Sequence, residues 1–163
     1  MDQDLTERLN KLRALEDVEE IKKLRARYFD ACDGGWDGRP THNTEKILSF
    51  FTEDCVWDGG QLGIRNGREE LRAYYAETTP SEAPLAFHIL TNPIIEVAGD
   101  HATGNWHLTI MLTNAQRKSM LVSSVLDDEY ARTPEGWRIS HTRYSVALTG
   151  QYEGAWSQVI AGR

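Results

Sequence analysis

Cysteine is scarce: the 163-residue chain has two, Cys32 and Cys55. That is too few and too unpatterned for a disulfide framework or a zinc site. Positive charge is also in deficit, with 18 Lys and Arg against 25 Asp and Glu and a formal net charge of −7. Nucleic-acid binding needs a basic face that displaces counterions, and no Lys/Arg run of that kind occurs, so DNA and RNA are not expected partners. No apolar stretch approaches the roughly 18 residues of a membrane span. The start, Met1-Asp2-Gln3-Asp4, is acidic and no apolar segment follows it. A signal peptide is therefore not expected, and a cytoplasmic location is. The five histidines, His42 and His101 among them, show no metal-ligand spacing. Neither a G-x-G-x-x-G nor a Walker loop is present to hold a nucleotide, and no G-x-S-x-G elbow presents a serine nucleophile. Cofactor-free acid–base chemistry on a small-molecule substrate remains.

What is present is enough for a core: 40% of residues are hydrophobic and 26% charged. A domain of this length buries about 68–70% of its unfolded-chain surface. With no repeat, linker or low-complexity tract, the expectation is one domain over 1–163, with an N-terminal helical arm at 1–16 and a tail from about 150 to 163.

From Leu5 to Tyr28 apolar residues recur at three- and four-residue steps through Leu9, Leu12, Leu15, Val18, Ile21 and Leu24, the period of a helix. Successive three-residue steps make the stripe drift, and Asp17 followed by Glu20 reads as a capping-box-like restart. The expectation is an arm, then a main helix from about Val18 to Cys32 ended by Gly34-Gly35. A short helix near Thr44–Phe51, a strand at Cys55-Val56-Trp57 and a helix at Glu69–Ala76 follow. Beyond Pro84 the pattern turns to β over Phe87–Val97, Ala102–Thr113, Ser119–Arg132 and Trp137–Leu148, separated by turn-like segments. Helices followed by a meander predict an α+β fold, a curved antiparallel sheet wrapped around N-terminal helices with a cone-shaped pocket between the layers.

Several phrases in this order carry a family likeness. They are Val18-Glu19-Glu20-Ile21-Lys22-Lys23-Leu24-Arg25-Ala26-Arg27-Tyr28 followed by Asp33, then Phe51-Thr52-Glu53-Asp54-Cys55-Val56-Trp57-Asp58, and Gly67-Arg68-Glu69-Glu70-Leu71. The sheet adds His88-Ile89-Leu90-Thr91-Asn92-Pro93, Val97-Ala98-Gly99-Asp100-His101-Ala102-Thr103-Gly104 and Gly136-Trp137-Arg138-Ile139. Together they resemble the SnoaL-like branch of the nuclear transport factor 2-like superfamily, whose fold is a cystatin-like α+β barrel. That superfamily includes polyketide cyclases, dehydratases, a dehydrochlorinase, isomerases and non-catalytic dioxygenase subunits. The resemblance to its dehydratase-like members implies a helix tyrosine, a carboxylate at the helix end and a histidine on the first long strand, all within the cone. Tyr28, Asp33 and His88 match that set. It also implies a homo-oligomer, dimer or trimer, and Met111, Leu121 and Val125 make the outward sheet face apolar enough for one.

Each matching residue also has an ordinary structural reading. Tyr28 closes the helix stripe as a core tyrosine would. Asp33 lies five positions on, about 140° around an ideal helix. The two converge only if the helix unwinds at Gly34-Gly35; Asp30 competes for the role but points toward solvent. On the first long strand, alternation groups His88 with Leu90, Asn92 and Ile94, and the resemblance turns that face inward. An imidazole held by a carboxylate is a general base, and the tyrosine hydroxyl would stabilise an oxyanion or leaving oxygen.

On the second strand Trp106 reads as pocket wall or core, while His107 has the opposite parity. On the last strand Trp137, Ile139, His141 and Arg143 alternate together. An inward Arg143 must meet a carboxylate or serve an anionic intermediate; an outward one reaches solvent. Trp57 reads as lining or core. The candidate catalytic set is therefore His88, Asp33, Tyr28 and Arg143, and the candidate substrate-binding set is Trp57, Trp106, Asn92, Leu90 and His141. Such machinery predicts a lyase, a dehydratase or related eliminating enzyme, for a small, largely apolar cyclic or aromatic hydroxylated substrate. Isomerase, cyclase or non-catalytic dioxygenase-subunit roles are the alternatives.

Overall fold

A computed structural model describes residues 2–33, 42–82, 85–113 and 118–153. The elements run α1 (Asp2–Cys32), α2 (Thr44–Leu48), β1 (Phe51–Asp58), β2 (Ile64–Asn66), α3 (Gly67–Glu82), β3 (Leu85–Ala98), β4 (His101–Thr113), β5 (Ser119–Thr133) and β6 (Gly136–Tyr152). The fold is α+β: helices packed on a six-stranded curved, unclosed sheet of order β2-β1-β6-β5-β4-β3. Neighbouring strands are antiparallel except β1 and β6, which run parallel.

The expected restart at Asp17 does not occur; α1 is one helix of 31 residues. The Asp17 carboxylate does not cap a new helix. It accepts from Trp137 Nε1 (3.0 Å) and Arg132 Nη2 (2.7 Å), pinning the middle of α1 to the β5–β6 turn region. C-terminal to this anchor the stripe is buried: Ile21, Leu24, Arg25, Tyr28, Phe29 and Cys32 face the sheet. N-terminal to it Leu5, Leu9, Leu12 and Leu15 stay exposed. Drift of the apolar stripe is thus resolved by leaving half the helix off the core.

The short second helix stops at Leu48, earlier than the sequence suggests, because Phe51 enters β1 and the Phe50 carbonyl accepts from the Ile139 N–H of β6 (2.8 Å). Asn43 caps its start, accepting from Lys46 N–H (3.0 Å). The Gly34-Gly35 stop signal lies outside the described residues, as does the end of the tail.

Two bulges decide which side chains face the helices. Directly opposed residues of a ladder share a face, and Asp128 defines the inner one by bonding Arg25 of α1. Between Thr91 and Ile94, β3 carries one extra residue against β4. Asn92 sits there with φ 53°, a left-handed conformation asparagine tolerates. Between Glu129 and Tyr130, β6 carries an extra residue, so Ser140 breaks the alternation. Inward parity therefore passes from Trp137 and Ile139 to Thr142 and Tyr144.

Candidate active site

A polar helix–sheet contact lies at the C-terminal end of α1. Asp33 follows the last helical residue, and its N–H still bonds Phe29 O (2.8 Å). It is 2% exposed although a carboxylate meets the unfavourable end of the helix dipole there. β3 supplies the compensation. One oxygen, Oδ1, accepts from the His88 backbone N–H (3.0 Å) and stands 2.6 Å from His88 Nδ1. The His88 ring, 16% exposed, stacks on Phe29 with centroids 4.7 Å apart. Helix end and first long strand thus bring the carboxylate and imidazole together, and among the described residues no hydrogen bond engages His88 Nε2. Asp30, by contrast, is exposed.

Tyr28 is buried one turn earlier. Its hydroxyl lies 2.6 Å from that of Tyr75 on α3 and 3.2 Å from that of Tyr144 on β6. Burial, with the neighbouring Tyr144 and Tyr75, holds Tyr28 well above the ordinary tyrosine value. Burial likewise pushes Tyr144 up to about 12, with Arg25 pulling the other way. These hydroxyls are protonated donors at neutral pH. Trp57 closes the cluster, its ring 4.8 Å from Tyr74 and 5.4 Å from Tyr144, and its Nε1 is buried without a partner among the described residues. Cys32 beside them is pushed up to about 12 by burial and is no nucleophile at neutral pH.

Other candidates land elsewhere. Leu90 faces inward opposite Leu108 and packs on the core. Trp106 is core, its Nε1 donating to Tyr130 Oη (3.1 Å). Asn92 does not share the face of His88: the bulge turns it outward, where its amide lies 3.1 Å from His107 Nδ1. Arg143 and His141 are also outward, because the Ser140 bulge reverses the parity that Trp137 and Ile139 set. Arg143 is 57% exposed and stands 3.4 Å from Asp58, and it pairs across the ladder with Asp127. His141 lies opposite Glu129 on the same face. These three residues cannot line a pocket on the helix side of the sheet.

The inward arginine is Arg25, on α1. It is fully buried, and Asp128 of β5 takes its Nε–H (2.7 Å) and an Nη2–H. A sequence signal existed: Arg25 sits at helical spacing among Ile21, Tyr28 and Phe29, and Asp128 alternates with Leu126 and Tyr130 on a strand. Charges centred in two apolar faces are expected to meet. Among the described residues no group of three or more His, Cys, Asp or Glu side chains is placed to hold a metal ion.

The comparisons with known proteins agree with this architecture. Residues 13–143 match the SnoaL-like domain family. The chain belongs to that family. It is 28% identical over 122 residues to an uncharacterized protein of Mycobacterium tuberculosis, a stretch covering 74% of this chain and 78% of that protein. Among solved structures, hexachlorocyclohexane dehydrochlorinase LinA-type3 of Novosphingobium barchaimii superposes with a TM-score of 0.71 at 19% identity, covering 95% of this chain and 97% of that one. A nuclear transport factor 2-like protein of Novosphingobium aromaticivorans with a cystatin-like fold gives 0.70 at 22% identity over 98% and 97% of the two chains. At these identities the structural likeness is one of fold.

Proposed function

We propose that this SnoaL-like protein is a cofactor-independent lyase acting on a small, largely apolar cyclic or aromatic hydroxylated substrate. The observation that carries the reading is the Asp33–His88 pair, a buried carboxylate 2.6 Å from the Nδ1 of a part-buried imidazole, at a helix end where a carboxylate would otherwise be disfavoured. Asp33 accepts the Nδ1 proton, which fixes the tautomer and leaves the Nε2 lone pair to act as base. Nε2 removes a proton beside an activating carbonyl or ring. The electrons form the new double bond, and the same nitrogen returns its proton to the departing hydroxyl, which leaves as water. Tyr28, held protonated by burial, donates to the oxygen on which charge develops. Trp57 and Leu90 form apolar walls. Isomerisation, cyclisation or retro-aldol-like cleavage would use the same groups with another fate for the carbanion. Self-association as a dimer or trimer through the outward face bearing Met111, Leu121 and Val125 belongs to the same reading; all three side chains are only half-buried there.

A panel of hydroxylated aromatic and steroid-like compounds tests the reading. On the compound turned over fastest, His88→Gln is expected to lower kcat by about 10²–10⁴-fold. Full turnover in the folded variant removes the base. Absence of turnover on any compound, together with co-purification with a larger iron-containing chain, would favour the dioxygenase-subunit role.

A further inference from the structure

Arg25 lies at the centre of a hydrogen-bonded network with one unmet group. Trp106 Nε1 donates to Tyr130 Oη (3.1 Å), Tyr130 Oη donates to Asp128 Oδ2 (2.6 Å), and Thr142 Oγ1 donates to Asp128 Oδ1 (2.7 Å). Arg25 gives Nε–H to Asp128 Oδ2, and from Nη2 it reaches Asp128 Oδ1 and Thr142 Oγ1 (2.6 Å). Gly104, opposite Asp128, makes room: a Cβ there would stand 2.9 Å from the Tyr130 ring. A guanidinium has five N–H donors, and this network engages those of Nε and Nη2. Nη1 is buried and has no partner among the described residues. A buried charged donor left unpaired is costly, and a structural ion pair needs none.

The Arg25 guanidinium is buried against the helix residues that flank the site just described. The Arg25 guanidinium carbon lies 5.1 Å from the Tyr28 ring and 5.4 Å from the Phe29 ring, and Phe29 carries His88 stacked at 4.7 Å. Tyr28 joins Tyr144, against which Trp57 packs with its own buried N–H, which has no partner among the described residues. This end of the fold therefore gathers N–H donors that have no acceptor among the described residues around protonated tyrosines. We propose that Arg25 is a catalytic residue whose Nη1 receives a single conjugated oxyanion, phenolate or enolate, of the substrate. Asp128 occupies the two-pronged edge of the guanidinium, so what remains suits one oxygen atom better than the paired oxygens of a carboxylate. Tyr130 and Thr142 bind Asp128 as well. The role in turnover rests on the lyase reading; the oxyanion preference does not.

The probe is 4-nitrophenol, whose ionisation is followed by absorbance, with benzoate as the carboxylate control. Wild type is expected to bind the phenolate at least tenfold more tightly than the phenol, lowering the bound probe's pKa by about one unit, and to prefer it to benzoate. The preference should persist in His88→Gln and disappear in Arg25→Gln. If Arg25→Gln does not fold, nitrogen NMR of wild type labelled in its arginines replaces it: the Arg25 Nη resonances should move when 4-nitrophenolate is added. Equal binding of phenol and phenolate, no binding of either, tighter binding of benzoate, an intact preference in folded Arg25→Gln, or unmoved Nη resonances overturns the inference. Phenolate preference with full turnover in His88→Gln would instead overturn the lyase reading alone.

Discussion

Two arginine–aspartate pairs lie on opposite faces of the same sheet. Arg25 and Asp128 are buried between α1 and β5, with side chains 0% exposed. Arg143 and Asp58 stand 3.4 Å apart on the outer face, the arginine 57% exposed. The residue types are identical, and only the surroundings differ. In the interior each charge depends on its partner, because removing one leaves the other in a medium that cannot solvate it. On the surface water takes over whatever is lost. Position in the fold therefore decides whether such a pair holds the structure together or merely decorates it.

The largest effect should come from cutting the inner pair. Asp128→Ala strands the Arg25 charge and is expected to cost about 3–5 kcal/mol in urea denaturation; a loss below about 1 kcal/mol would erase the distinction between the faces. Next comes alkaline pH. Burial raises Cys32 from 9.0 to about 12 and Tyr144 from 10.0 to about 12, so the unfolded chain gives up these protons first. Stability from these groups is complete below their unfolded values and lost as pH climbs from about 9 toward 12. Urea midpoints across that range should fall, and Cys32→Ala should delay the onset; a flat profile contradicts the burial. The smallest effect belongs to Arg143→Ala, expected to stay within about 0.5 kcal/mol in stability and to leave turnover and 4-nitrophenolate binding unchanged. A kinetic defect in that variant would return Arg143 to the site.

The sequence made the element order legible, and it made His88 and Asp33 legible through the family likeness, because those signals are local or ordered along the chain. Side-chain facing was legible only up to the first bulge. Alternation carried past Thr91 and past Ile139 assigned Asn92, His141 and Arg143 to the wrong face, since one inserted residue inverts every position beyond it. The α1 stripe misled differently. Its periodicity is continuous, but burial begins only where Asp17 meets Trp137 and Arg132, partners more than a hundred residues away. Arg25 is not legible as a buried charge from its helix alone, because its partner Asp128 lies 103 residues away on β5.

The parallel pairing of β1 with β6 has a consequence for how the chain is made. Phe51 finds its neighbour at Ile139, and Arg25 closes its contacts with Asp128 and Thr142, 103 and 117 positions further on. As the polypeptide emerges from the ribosome, the leading helix carries a naked cation whose counter-charge has not yet been synthesised. Final compaction waits for the last strand, which makes assembly slow in the manner of long-range topologies. It also leaves the nascent helix a natural client for whatever shields unfinished chains.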